Sequence, residues 1–156
     1  MQNPMQDSAP AETAQLDFET RSKSRLLLRL DGGGLAAVIV ERGRVLRDGD
    51  QVRAEDGRLV RIIAAEESLL EASATDPLLI VRAAYHLGNR HVAVQVTANR
   101  LRFLNDRVLG DMVRGLGLEV TAVRAPFEPE GGAYGHHAHG GQAPLMRPKI
   151  HEFRQP

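Results

Sequence analysis

Between Arg25 and Gly57 a glycine-bearing turn returns at short, regular intervals: Asp31-Gly32-Gly33-Gly34, Arg42-Gly43, Asp48-Gly49-Asp50 and Glu55-Asp56-Gly57. The stretches between and beside them, RLLLRL, LAAVIV, RVL, QVRA and RLVRII, are short and aliphatic. A helix of ordinary length does not fit between such stops, so the spacing predicts short strands closing a small sandwich or barrel. An all-β domain is expected over residues 18–67. Residues 1–17, rich in Pro, Gln, Ser and Ala and without an apolar period, read as a disordered arm.

The glycine triplet is not a phosphate loop, because such a loop opens a helix and carries Lys-Ser/Thr, whereas Leu35-Ala36-Ala37-Val38-Ile39-Val40 follows here as a strand. A hairpin turn is the expectation. Arg21, Lys23 and Arg25 form a small basic cluster ahead of the first strand and read as a solvated edge.

The second half changes rhythm. LLEASA (69–74) reads as a strand, and Asp76-Pro77 then supplies an N-cap and a first-turn proline, a strong helix start. Ile80, Val81, Ala84 and Leu87 share one helical stripe until Gly88-Asn89, the two residue types best suited to a left-handed stop. Val92, Val94 and Val96 alternate with Ala93, Gln95 and Thr97 as a strand, and Leu101 and Phe103 extend another across a turn near Ala98-Asn99. Asn105 or Asp106 caps a second helix carrying Val108, Leu109, Met112, Val113 and Leu116 on its stripe, and LEVTAVRAP closes with a strand. The order β-α-β-β-α-β is the split βαβ arrangement of ferredoxin-like domains, expected over residues 68–128. The fold class is therefore α+β, ending in a flexible tail with histidines over residues 129–156, where prolines and glycines replace any apolar stripe.

Composition excludes several functions. With no cysteine there is neither a disulfide framework nor a thiolate, so any metal must be held by imidazole and oxygen. Twenty basic and twenty acidic residues balance, which gives no electrostatic footprint for nucleic acid. Apolar stretches fall far short of the ~20 residues a spanning helix needs, so no membrane association and a cytoplasmic location are expected. No Gly-x-Ser-x-Gly turn or His-Glu-x-x-His pattern is present, and no catalytic residues are assigned.

What remains is imidazole chemistry. His86 and His91 lie five positions apart, and at about 100° per residue they cannot grip one ion from a single helical face. His86 reads as a packing residue inside the last turn. His91 lies past the stop and, if the strand period already holds there, points away from the helices. Alone it is most simply a backbone-bonded residue; it becomes half a metal site if a two-fold axis brings the same residue from a second chain beside it. The clearest ligand cluster is in the tail, where His136, His137 and His139 stand within Gly135–Gly140 and can wrap one cation, with His151 further on.

AAYHLGNRHVAVQV, followed by LRFLNDRVLGDMVRGLGLEVTAVRAPFEPEGGAYGH, resembles the UreE family of urease accessory proteins, which are nickel metallochaperones. The likeness extends to ERGRVLRDGD and EDGRLV in the β-rich half. It implies an N-terminal domain that handles partner peptides, a metal-binding domain that dimerises, and one Ni(II) bound between the His91 side chains of a homodimer. It further implies delivery to the urease accessory GTPase UreG and the urease apoprotein complex. Some relatives carry a His-x-His pair where this chain has Asn105-Asp106-Arg107, which leaves Asp106 as the sole auxiliary ligand candidate there.

Two imidazole anchors completed by detachable tail histidines suit a carrier, because such a site exchanges its ion more readily than a closed cage. The same donors also take Zn(II) or Cu(II), so selection for nickel rests on geometry and supply. The competing reading is a protein-interaction module whose histidines are incidental. A metal-dependent hydrolase is a third, with only Asp106, Asp111 or Glu128 to act as acid or base.

Overall fold

The computed structural model describes residues 12–132. The first strand, β1 (Glu12–Leu16), lies inside the stretch expected to be a disordered arm. It runs parallel to β5 (Leu59–Ala64), which also pairs with β4 (Gln51–Arg53). Ala14 and Leu16 turn inward from β1, and that burial holds a segment whose composition alone gives no strand signal. Asp17 then caps a short helix, α1 (Phe18–Arg21), its carboxylate accepting from the Thr20 amide at 2.8 Å.

β2 (Arg25–Arg29) and β3 (Leu35–Ile39) form the expected hairpin around the glycine triplet, where Gly33 and Gly34 take φ of +96° and +92°. Backbone bonds from Asp31 to Thr13 and from Glu55 to Ala37 stitch the hairpin to the three-stranded sheet on both sides. Leu28, Val38, Leu46, Val60 and Ile62 fill the space between. Arg44–Leu46, expected as a strand, is irregular chain: Leu46 is fully buried, but its amide is spent on the Arg21 carbonyl instead of a ladder.

In the second half β6 (Glu66–Ser73), α2 (Pro77–Asn89), β7 (Gln95–Thr97), β8 (Arg100–Leu104), α3 (Arg107–Gly115) and β9 (Glu119–Pro126) follow in the predicted order. The sheet runs β7-β8-β6-β9 with every neighbour antiparallel, the ferredoxin-like pattern. Leu70, Ala72, Leu101 and Phe103 meet Ala83, Leu87 and Val113 of the helices. Full burial of one such large side chain contributes about 1.5–3 kcal/mol. On the opposite face of the sheet Glu71 bridges Arg100 and Arg102 at 2.8 and 2.7 Å. The hydrogen bond from Arg102, followed by the nearby charge of both arginines, holds the Glu71 carboxyl below the usual glutamate range.

Both helix starts were legible. Asp76 accepts from the Leu78 amide and Asp106 from the Leu109 amide, each at 2.9 Å. The stripes were less so: Val81 and Val108, expected to face the sheet, are 63% and 67% exposed. In α2 the buried line is Ala83 and Leu87 with Leu79, Ile80 and Ala84 beside it. Among the described residues no helix is long and apolar enough to cross a membrane.

Candidate metal centre

α2 continues through Gly88 and Asn89, and the left-handed residue expected at that stop is His91 itself, at φ +57°. The amides of Arg90 and His91 donate to the carbonyls of Leu87 and Gly88 at 3.1 and 3.0 Å, and Val92 returns to Leu87 at 3.2 Å. These bonds satisfy the last carbonyls of the helix and swing the chain sharply out of it. The strand does not begin until Gln95, so the strand alternation used to orient His91 does not apply. His91 is nonetheless exposed, because a left-handed turn beyond the helix end, not a strand pleat, presents it. His86, in the last turn of α2, is also exposed and lies edge-on to Tyr85 with ring centroids 5.3 Å apart.

The outward face of α2 is apolar. Leu78, Val81 and Tyr85 follow one another at helical spacing and all are exposed, so this helix carries an apolar line on both sides. The stripe runs toward the His91 turn, since Tyr85 lies within about 9 Å of it along the axis at 1.5 Å per residue.

The other candidates are dispersed. Asp106 is occupied as the cap of α3, and Asp111 bonds Arg114 at 3.1 Å. Glu128 pairs with Arg21 and Arg47. The described residues contain no group of three or more His, Asp or Glu arranged to hold an ion. His136, His137, His139 and His151 lie outside the described residues.

The segment after β9 is better anchored than a tail beginning at residue 129 would be. The Pro129 carbonyl accepts from Arg47 at 2.8 Å, and the Glu130 amide donates to the Val94 carbonyl at 2.8 Å. The chain thus departs beside the loop that carries His91, three residues from Val94.

Arg21, read as part of a solvated basic edge, has no exposed surface, while Lys23 and Arg25 beside it are exposed. Its guanidinium donates to the carbonyls of Leu16 and Leu46 at 3.2 and 3.0 Å and to that of Phe127, and pairs with Glu128. The partners are up to 107 positions away, and nothing local in the sequence marks them.

A β-stranded unit joined to a ferredoxin-like unit that displays an imidazole on a turn defines a two-unit α+β protein. Models of the N- and C-terminal domains of the UreE urease accessory protein match residues 1–65 and 67–153. The chain is 52% identical to the urease accessory protein UreE of Burkholderia vietnamiensis, over 86% of this chain and 68% of that one. It is 50% identical to that of Azotobacter vinelandii, over 89% and 87%. With the protein of that name from Dechloromonas aromatica it shares 48% identity, over 92% and 91%. The chain belongs to the UreE family of urease accessory proteins, a family with a chaperone role in urease maturation.

Proposed function

We propose that the protein is a nickel metallochaperone, which binds Ni(II) between two copies of itself and delivers it for assembly of the urease active site. The observation that carries this reading is the exposed His91, held in a left-handed turn at the end of a helix whose outer face is apolar. One imidazole cannot hold a transition metal firmly, and no second donor cluster stands near it within the described chain. A two-fold axis beside α2 supplies the second imidazole and covers Leu78, Val81 and Tyr85 in the same step.

The tail histidines complete the site in this reading. From Glu130, fixed to Val94, His136 is six residues on. Extended chain covers up to about 3.5 Å per residue, so a reach of roughly 20 Å brings His136, His137 and His139 within range of His91. His151 is a more distant donor, and Asp106 contributes only as an outlying carboxylate. Zn(II) and Cu(II) compete for the same imidazoles. The recipients are the GTPase UreG and the urease apoprotein complex, in the cytoplasm. Residues 18–67 act as a partner-binding domain, a role supported by Leu27, Leu35 and Ile39, exposed together on the outer face of the hairpin beside Arg25 and Arg29.

Calorimetric titration of Ni(II) into the whole chain and into a chain ending at Gly135, with oligomer mass recorded for each, tests this. The expected result is a dimer in both cases and tighter binding by the whole chain. A monomer that binds no nickel would refute it.

A further inference from the structure

The segment that leaves β9, Phe127 to Glu130, lies between the two units and is gripped from both. The β-stranded unit supplies two cations. Arg21 donates to the Phe127 carbonyl and pairs with Glu128, and Arg47 reaches the Pro129 carbonyl at 2.8 Å and the Glu128 carboxylate at 3.6 Å. The loop after His91 supplies two acceptors: the Gln95 side chain takes the Glu128 amide at 3.1 Å, and the Val94 carbonyl takes the Glu130 amide at 2.8 Å. Phe127, fully buried, meets Phe18 edge-on at 5.5 Å, and the Phe18 amide donates to Glu67 of β6 at 2.9 Å. Glu128 is held from both directions at once, by its carboxylate on one side and its amide on the other.

The His91 turn needs such a support at its downstream end. Upstream it is bonded to α2 through the Leu87 and Gly88 carbonyls. Downstream it runs into β7, a strand of three residues at the edge of the sheet, paired to β8 alone. A short edge strand opens readily, because few backbone bonds hold it. The bonds from Glu128 and Glu130 fall on Gln95 and Val94, where this strand begins. They are backed by a guanidinium without solvent, which must keep its acceptors because losing them leaves a buried charge uncompensated.

We propose that Glu128 is a positioning residue for His91: held by Arg21 and Arg47, it fixes residues 127–130 against Val94 and Gln95 and so sets where the His91 turn ends. The role of His91 as a ligand belongs to the nickel reading above, on which this inference rests. The mechanical link from Glu128 to the turn is measurable without metal.

The experiment has two arms on full-length protein. In the first, amide exchange is compared without metal in wild type, Glu128→Ala and Arg47→Met. In Glu128→Ala the amides of residues 128 and 130 exchange at least about tenfold faster, as expected when charge-assisted bonds are lost, and those of His91 and Val92 at least about twofold faster. Ala72 and Leu101 in the sheet keep their protection. Arg47→Met leaves Arg21 its partner and gives the same pattern at smaller amplitude, so it decides the matter if Glu128→Ala does not fold. Unchanged exchange at His91 and Val92 overturns the proposal, and so does equal acceleration at Ala72 and Leu101 in both variants, which is general destabilisation.

In the second arm Ni(II) affinity is measured for wild type, Glu128→Ala, Glu128→Gln and His91→Ala. Glu128→Ala weakens binding at least about threefold, less than the roughly tenfold or greater loss typical of a residue bonded directly to a metal ligand. Glu128→Gln, whose side-chain oxygen still accepts from an arginine, recovers most of that loss. If His91→Ala abolishes nickel binding while Glu128→Ala binds as wild type, this proposal alone fails. If His91→Ala binds nickel as wild type, the nickel reading fails, and the exchange arm still decides whether Glu128 fixes the turn.

Discussion

The His91 amide donates to the Gly88 carbonyl at 3.0 Å, and the turn this closes holds His91 at φ +57°. A side chain with a Cβ costs about 1 kcal/mol in that conformation, whereas glycine adopts it freely at the expense of a more disordered unfolded chain. His91→Gly is therefore expected to change unfolding free energy by less than about 1 kcal/mol and, under the proposed function, to abolish nickel binding between the two protomers. Thermal denaturation beside nickel titration checks both. Retained nickel stoichiometry in His91→Gly would contradict its role as a ligand.

Asp106 caps α3 through the Leu109 amide. Replacement by Ala costs about 1 kcal/mol, while Asn, an equally good cap, costs little. Denaturant titration of the two variants separates capping from charge. A fall in nickel affinity confined to Asp106→Asn and Asp106→Ala alike, with only the latter destabilised, would promote this carboxylate to a ligand.

Gly110 sits in α3 where a Cβ would fall 2.8 Å from Leu70 Cδ1 and 3.3 Å from Arg114 Nη1. Arg114 can move aside; Leu70 is packed in the core. Ala gains about 1 kcal/mol in helix propensity, and crowding a packed site costs about 1–3 kcal/mol. Gly110→Ala is expected to destabilise by about 1 kcal/mol net, read from the denaturation midpoint.

Much of the architecture was legible because its signals are local. Asp76-Pro77 and the glycine triplet declare a helix start and a hairpin without reference to the rest of the chain. What was missed depends on distant partners. β1 is a strand because β5, more than 40 residues later, pairs with it, and Arg21 is buried because Leu46, Phe127 and Glu128 close over it. Val81 and Val108 obey helical periodicity yet face outward, since an apolar stripe says that a face is to be covered and not by what. At the candidate site the sequence marks His91 only as lying past the helix stop; its exposure comes from a left-handed turn placed two residues beyond the expected Asn89.

Glu71 supplies a pH dependence with a definite sign. Hydrogen-bonded by Arg102 and Arg100, its carboxyl is held below its unfolded value. The contribution is complete above the ordinary glutamate range and disappears as pH falls through the lower folded value. Wild type is expected to lose stability in that acid window more steeply than Glu71→Gln, which is already weaker at neutral pH. Parallel stability curves from neutral pH down to about pH 3 would contradict this.

In the proposed function two imidazoles, one from each protomer, meet on a two-fold axis. Crystals of the nickel-loaded, full-length protein, measured at the nickel absorption edge, test it most directly. The account predicts one anomalous peak on a two-fold axis, bonded at about 2 Å by His91 of both protomers and flanked by Leu78, Val81 and Tyr85 from each. Nickel bound elsewhere, with the two His91 rings far apart, would contradict it.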